Sequence, residues 1–387
     1  MNEEERTSSL ALTHRLRIEI LEPIKRSFVG KDEIIDLLGL CLIARENLFL
    51  LGPPGTAKSA LVQELARRIN GRVFDYLLTR FTEPNEIFGP FDIRKLREGE
   101  LETNTEGMLP EADFVFLDEL LNANSAILNS LLLVLNERVF RRGRETRQLD
   151  TLMVVGASNR LPEDEALCAL FDRFLVRVGC HNVPETELGH VLAAGWQLDQ
   201  RPAISSQLHV EHLRRLNELV AHVDVDGLRS DYAELIRRLR RAGLVISDRR
   251  AVKLQRLLAA SAILCGRLRA NRTDFWVLRY IWDAEEEQDV LASLVEKALE
   301  SASQEEREVS HPRSHVGESP DAERLAADLQ QIADDLKGVP ADSPEFSVLK
   351  DRLGLLAARS QWVTNAQQRT RLEQLTSEIW NQIGSKT

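Results

Sequence analysis

The sequence predicts an α/β domain built on a mainly parallel sheet, followed by an all-α domain and a small C-terminal helical region. Three observations carry this. Short apolar runs of strand length alternate with segments of helical periodicity through the first half of the chain. The first of these runs feeds a Gly- and Pro-rich turn that opens directly into a helix. From about residue 185 the strand-like runs stop and helical spacing continues alone.

Residues 1 to 45 read as helices joined by a loop that holds Phe28, Val29, Gly30 and Lys31. NLFLLG (47–52) is apolar and ends in Gly, as a buried strand feeding a loop would. KSALVQELARRING (58–71) spaces Leu61, Leu65 and Ile69 by four and stops at Asn70–Gly71, which predicts a helix and its end. RVFDYLL (72–78), DFVFLDE (113–119), LMVVGAS (152–158) and FLVRV (174–178) have strand length and are rich in β-branched or aromatic residues. Between two of them, ILNSLLLVL (127–135) puts Leu128, Leu131, Leu132 and Leu135 at helical spacing. Strands alternating with helices imply a parallel sheet covered on both faces.

Two segments break the rhythm. Residues 91–109 read as a hairpin turning near Glu98–Gly99, and residues 138–150 as another turning near Arg142–Gly143. Beyond 185, ELGHVLAAGW, HLRRLNELVAHV and RRAVKLQRLLAASAIL are the clearest helices. SASQEEREVSHPRSHVGESPDAE (301–323) is polar and reads as a linker. After it, Leu325, Leu329, Ile332 and Leu336 form a seam, and a further helical stretch covers roughly 345–383, including Trp362 and Trp380. The chain thus divides into an α/β core (1–184), an all-α domain (185–299), a linker (300–323) and a C-terminal helical region (324–387).

Composition narrows the function. The 387 residues allow two to three domains at ~150 residues each. Fifty Lys and Arg against 61 Asp and Glu leave a net charge of −11, which removes the overall basic character of a nucleic-acid coat. No apolar run approaches the ~18 residues of a membrane span, and the acidic N-terminus does not resemble a signal peptide. Cys41, Cys168, Cys180 and Cys265 are scattered, with no CxxC pair, so neither a zinc knuckle nor a disulfide framework is indicated. A cytoplasmic protein with reduced thiols is expected.

The turn between the first strand and its helix carries the chemistry. In Gly52, Pro53, Pro54, Gly55, Thr56, Ala57, Lys58 and Ser59, backbone N–H groups and a helix N-terminus can surround phosphate oxygens. Lys58 would reach the β- and γ-phosphates, and the Ser59 hydroxyl would complete a Mg²⁺ shell. Ala57 stands where such turns usually carry Gly, which is tolerable if the residue has negative φ in the first helical turn. About 60 residues after Lys58, a second apolar strand ends in Asp118 and Glu119. Asp118 would hold Mg²⁺, and Glu119 would take a proton from the attacking water or orient it. With the two strands side by side, a cation site would meet a phosphate site, which means a nucleoside triphosphate. LMVVGASNR ends a third strand at Asn159, whose amide either binds the γ-phosphate or lytic water or starts a turn. In ALFDRFLVRV, Arg173 either pairs with Asp172 or stabilises charge on a transferring phosphoryl group.

The ordered series GPPGTAKS, VFLDE, GASN and FDRF resembles an AAA+ ATPase. EPNEIFGPFD, LPEADFVFLDE, LNERVFRRG and ISDRR narrow the resemblance to the MoxR group and its RavA-like branch, over roughly residues 10 to 290. That group is similar in placing Ala before the Lys. The resemblance implies ATP and Mg²⁺ as cofactors, with Val29 and Gly30 lining the adenine pocket and the turn through Ala60 holding the phosphates. It implies Asn159 as sensor 1, and Arg173 as an arginine finger reaching an adjacent subunit's nucleotide. Arg249, in ISDRR, would be sensor 2, a role its neighbour Arg250 could exchange with it. The two hairpins would be the helix-2 insert and the pre-sensor-1 hairpin, facing the pore or substrate side of a ring, expected to be a hexamer.

The function so implied is a ring-forming ATPase that remodels or matures a partner protein, often beside a von Willebrand factor A domain protein. A nucleic-acid motor and a magnesium-chelatase-type subunit share the clade. The acidic chain shows no zinc module and no aromatic-interleaved basic strand for the former. A nucleotide-switched scaffold is the non-enzymatic alternative, opposed by the full set Lys58, Asp118, Glu119, Asn159 and Arg173. His209, Glu211 and His212, and likewise His311 and His315, read as solvated rather than metal-binding. Cys180–His181 shows no catalytic partner in sequence, and Arg237, Arg238, Arg240 and Arg241 read as a solvated face. Arg141, Arg142, Arg144 and Arg147 crowd one hairpin, where an acidic polypeptide or nucleic acid could meet them. The C-terminal helices would pack on the ring or dock an adaptor.

Overall fold

The computed structural model describes residues 3–97, 101–142, 145–199, 208–315, 322–340, 343–360, 363 and 366–384. The first half runs through α1 (Glu3–Arg15), α2 (Glu22–Ser27), α3 (Asp32–Ala44), β1 (Leu48–Leu51), α4 (Lys58–Ile69), β2 (Val73–Leu77), α5 (Pro84–Phe88), α6 (Ile93–Arg97), β3 (Phe114–Asp118) and α7 (Ser125–Glu137). The hairpin β4 (Val139–Arg142) and β5 (Glu145–Gln148) follows, then β6 (Met153–Ser158), α8 (Glu165–Phe171) and β7 (Val176–Gly179). The rest is helical: α9 (Leu188–Asp199), α10 (Val210–Leu219), α11 (Arg229–Arg241), α12 (Asp248–Leu264), α13 (Glu287–Glu300), α14 (Gln304–Glu308), α15 (Ala322–Gly338), α16 (Pro344–Ser360) and α17 (Ala366–Gly384).

The five core strands form one sheet in the order β2-β3-β6-β1-β7, every pair parallel. All residues of β1 and β6 are buried, so these strands take side chains into both faces, as parallel strands under crossover helices must. One expectation fails here. The phosphate-turn strand β1 and the acidic strand β3 are not neighbours; β6 lies between them and pairs with both. Two inter-strand steps, about 10 Å, therefore separate their ends. Strand order follows from which crossover packs where, and the apolar runs do not encode it.

Local signals set the helix ends. Asn70 closes α4 in the left-handed conformation, at the stop the sequence marks. Asn124 caps α7 by accepting from the backbone N–H of Ala126 and Ile127. The second interruption is the antiparallel hairpin β4–β5. The first has hairpin arms, joined by an antiparallel bridge between Phe91 and Thr103, but one arm continues as the short helix α6. The expected turns at Glu98–Gly99 and at Gly143, together with Arg144, lie outside the described residues, as does Trp362.

The chain forms two compact units. The sheet unit comprises Arg15–Glu218 together with Tyr280–Gln288, and the helical unit includes Leu219–Arg279 and the residues from Asp289 onward. The break thus falls at 218 rather than 184. Helices α9 and α10 group with the sheet: Asn217 Nδ2 donates to the Leu42 and Ile43 carbonyls at 2.7 and 2.8 Å, and Arg214 pairs with Asp113 at 3.5 Å.

Within the helical unit, residues 301–315 are folded rather than an open linker. Ser303 and Glu306 form a capping box on α14, and Ser310, His311, Pro312, Arg313, Ser314 and His315 are buried. The His311 ring stacks on Trp276 at 4.4 Å, and His315 Nε2 shares a 2.7 Å hydrogen bond with the Ser310 hydroxyl. Both histidines were expected in solvent. Their polar neighbours hide that they are satisfied from within. The expected pair of C-terminal helices is three: α15, α16 and α17 enclose a core that includes Leu325, Leu329, Leu336, Leu353, Leu372 and Ile379.

Among the described residues, no helix is long and apolar enough to cross a membrane. Leu353 is fully buried in the three-helix core, so Leu353→Ala should cost about 2–5 kcal/mol there. Hydrogen exchange is expected to speed up in α15–α17 while β1, β3 and β6 keep their protection. Unchanged exchange in α15–α17 would contradict the packing.

Candidate functional site

Backbone geometry at the end of β1 builds the turn. The Gly52 N–H donates to the Ser158 carbonyl at 2.9 Å, and the Cys180 N–H donates to the Leu51 carbonyl at 2.7 Å, so both neighbouring strands hold its entry. A Cβ on Gly52 would stand 2.1 Å from the Cys180 carbonyl oxygen, so only glycine fits. Gly55 has φ +82°, another glycine conformation. Ala57 overturns the expectation of negative φ: it lies in the left-handed region at φ 67°, ψ 25°, immediately before α4. The turn keeps the glycine geometry and accepts a methyl group at a cost of ~1–2 kcal/mol.

Lys58, the first residue of α4, is buried. Its Nζ folds back onto the Gly52 and Pro53 carbonyls at 3.0 and 2.9 Å, and Thr56 donates its hydroxyl to the Pro53 carbonyl at 3.0 Å. Among the described residues no carboxylate pairs with Lys58. A buried ammonium held only by its own loop's carbonyls is under-compensated, and an anion is the partner that would complete it. Pro53, Pro54 and Gly55 are exposed around it, while Ser59 and Ala60 are half-buried in the first turn of α4, where N–H groups lack intrahelical acceptors. These residues fit a polyphosphate.

Asp118 closes β3 half-buried, and its Oδ1 accepts from the Glu119 N–H at 3.0 Å. Glu119 is itself left-handed, at φ 49°, and its carboxylate takes a 3.4 Å contact from Asn122 Nδ2. Such strain at a non-glycine residue marks a side chain whose direction is fixed at some cost. Asn159 follows β6 and is exposed. Because β6 lies between β1 and β3, one sheet edge presents the turn 52–59, then Asn159, then Asp118 and Glu119. That edge, beyond the carboxyl ends of parallel strands, is where ligands of open α/β sheets bind.

Arg173 belongs to the opposite edge. It precedes β7, whose Val176 pairs with Leu48 at the start of β1. Asn47 Nδ2 donates to the Arg173 carbonyl at 3.2 Å, and its guanidinium pairs with Asp172 at 2.8 Å. The four residues of β1, about 13 Å, stand between Arg173 and its own chain's phosphate turn. The flanking Phe171 and Phe174 pack edge-on against Phe49 of β1, at 4.9 and 5.6 Å.

A cavity of about 930 Å³ adjoins the turn. Val29, Gly55, Thr56, Ala57 and Ala60 line it; Gly30 is not among the lining residues, but it joins the lining residues Val29 and Lys31 with φ +69°, where a Cβ would meet Val183 at 2.8 Å. Sequence reasoning missed other parts of the wall, among them Lys31, Gln63 and Arg67, and one face of α9 formed by Leu188, Val191, Gly195 and Leu198. The spacing of those four by three, four and three was legible, but α9 had been assigned to the other domain. Lys31 is steadied by donating to the His181 carbonyl.

The remaining candidates are placed as follows. Arg249 and Arg250 begin α12 in the helical unit, capped by Ser247; Arg249 is exposed and Arg250 buried. His212 Nδ1 accepts from the His209 N–H at 2.9 Å, so the pair serves a helix start, and burial lowers the His212 pKa. The hairpin arginines are less free than expected. Arg142 stacks 3.9 Å over Phe91 and donates to the Gly89 carbonyl at 2.7 Å, and Arg147 donates to Thr105 at 2.8 Å. They tie the hairpin β4–β5 to residues 85–105.

Residues 14–218 match the family model described as the MoxR domain in MoxR-vWA-beta-propeller ternary systems, and 225–295 match an AAA lid domain. The chain belongs to the MoxR family of AAA+ ATPases. Two proteins of Methanocaldococcus jannaschii that carry no functional name are 35% and 34% identical, over 70% and 68% of this chain and 71% and 70% of their own lengths. The chaperone MoxR1 of Mycobacterium tuberculosis is 30% identical over 57% of this chain and 58% of its own. A solved structure from Cytophaga hutchinsonii, assigned to the ATPases, superposes with a TM-score of 0.63 at 18% identity, covering 78% of this chain and 97% of that one. The fold is therefore that of an α/β AAA+ domain followed by a helical lid.

Ala57→Gly should relieve the left-handed strain and leave binding of a fluorescent ATP analogue intact, with a stability gain of up to ~1 kcal/mol after the glycine entropy cost. Gly52→Ala should abolish that binding through the Cys180 clash. Tight binding by Gly52→Ala would show that the turn is not so constrained.

Proposed function

We propose that this MoxR protein hydrolyses ATP with Mg²⁺ in a homo-oligomeric ring, expected to be a hexamer, in the cytoplasm. The ring couples turnover to remodelling or maturation of a partner protein that carries a von Willebrand factor A domain. The family model's description supports such a partner, and the printed name of the Mycobacterium tuberculosis relative supports a chaperone role. The RavA-like affinity, read from ISDRR and the two hairpins, belongs to the same proposal.

Placement on the sheet supports the following roles. Lys58, the N–H groups from Gly52 through Ala60, Val29 and Gly30 would hold the nucleotide. Ser59 and Asp118 would hold Mg²⁺, which supplies neutralisation of phosphate charge when bound. Glu119 orients a water and takes its proton, with Asn159 beside it on the sheet edge. Arg249 acts as sensor 2 from the segment matched by the lid model, residues 225–295. The observation that carries the ring is the position of Arg173. It lies one strand length from its own phosphate turn, which supports a role on a neighbour's nucleotide.

Two measurements test this. ATPase activity per protomer should fall steeply as the protein is diluted to monomer, because a trans-acting arginine is worth ~10³–10⁵ in rate. Glu119→Gln should bind ATP at unchanged affinity and stop turnover. Constant activity per protomer down to clear monomer removes the ring, and persisting turnover in Glu119→Gln removes the assignment of the water-activating residue.

A further inference from the structure

The edge strand β7 carries a cation with no exposed surface. Arg177 is fully buried, and its guanidinium lies over the Phe171 ring, 4.2 Å from the centroid. Nη2 donates to the Phe171 carbonyl at 3.2 Å. Nη1 donates to the Ile281 and Trp282 carbonyls at 3.2 and 2.6 Å and pairs with Asp283 at 2.6 Å. One side chain thus joins two segments of the sheet unit: the end of α8, two residues before Arg173, and the stretch Tyr280–Gln288. That stretch has its own anchor, the Tyr280 hydroxyl donating to Glu33 at 2.7 Å.

Burying a guanidinium costs several kcal/mol of desolvation, and an apolar residue of similar volume would close a sheet edge as well. What an apolar residue cannot do is fix carbonyls of two separate backbones at once, which the rigid fork of donors does. The turn that carries Arg173 is consequently held at two points. Arg177 grips it at the Phe171 carbonyl, and Asn47 grips it at the Arg173 carbonyl. Asn47 is in turn fixed, its Oδ1 accepting from Arg138 at 2.7 Å.

We propose that Arg177 is a positioning residue for Arg173: by tying the Phe171 carbonyl to the 280–288 segment, it sets the direction in which Arg173 leaves its own protomer. This rests on the reading of Arg173 as a finger acting on a neighbouring protomer. Its consequence is that damage at Arg177 is expressed in the next subunit's active site, not in its own.

Arg177→Lys keeps the charge and the Asp283 pairing but loses the fork. In the full-length assembled protein it should leave KM for ATP unchanged and lower kcat by ~10–100-fold, the usual result of a small misplacement of a reacting group. The deciding test mixes this variant with Glu119→Gln protomers, which lack turnover but carry intact Arg173 and Arg177. Mixed assemblies should regain activity above either parent, because Glu119→Gln protomers supply a well-placed finger to neighbours with intact Lys58, Asp118 and Glu119. Arg173→Ala mixed with Glu119→Gln is the control. If the control regains activity and the Arg177→Lys mixture does not, Arg177 acts within its own subunit and the proposal is overturned. A wild-type kcat in Arg177→Lys overturns it too. If neither mixture regains activity, the trans finger fails, and this inference falls with it. Should Arg177→Lys not fold, Asp283→Asn removes only the half-exposed partner charge. It should give a smaller kcat loss of the same complementable kind; an unchanged kcat would overturn the proposal.

Discussion

The close approach of Gly52 to the Cys180 carbonyl fixes everything downstream of β1. β6 on one side and β7 on the other pair with β1 along its whole length and hold its register. The 2.1 Å that a Cβ would leave there means that the turn begins against a backbone wall. From that wall the next residues must curl, through a left-handed Gly55 and a left-handed Ala57, into the first turn of α4. The curl buries the Lys58 ammonium among carbonyls beside the first turn of α4, whose N–H groups lack intrahelical acceptors. A cation placed there without a carboxylate partner is a standing electrostatic demand, and a polyphosphate meets it.

The same parallel sheet distributes the rest of the machinery. Strand ends put the turn, Asn159 and the Asp118–Glu119 pair on one edge, while Arg173 sits beyond the other. Parallel pairing gives this polarity to every strand at once, so no side-chain adjustment within one chain brings Arg173 to its own phosphate turn. Under the proposed arrangement, each protomer would hold most of one site and supply the missing piece of another.

Much of this was legible in the sequence because the relevant signals are local. Strand-length apolar runs, the Asn70–Gly71 stop and the GPPGTAKS turn each specify a few adjacent residues, and the structure has them where they read. What failed was non-local. The place of β6 between β1 and β3 depends on crossover packing, and the left-handed Ala57 is a backbone state that its residue type does not announce. Helices α9 and α10 are amphipathic like any lid helix, and only contacts such as Asn217 with the end of α3 assign them to the sheet. Residues 310–315 misled for a related reason: Ser310 pairs with His315 and His311 stacks on Trp276 in the interior, and composition cannot distinguish that from solvation. Arg177 was passed over as one charge in FLVRV, since Ile281, Trp282 and Asp283 lie more than a hundred residues away.

The central claim is that the turn after β1 grips a nucleoside triphosphate through Lys58. Titration calorimetry of ATP with Mg²⁺ into the hydrolysis-deficient Glu119→Gln protein, with and without a second change Lys58→Ala, tests it most directly. The account predicts one saturable site per chain in the first protein and its loss in the second. No heat of binding in the first, or equal affinity in both, would contradict it.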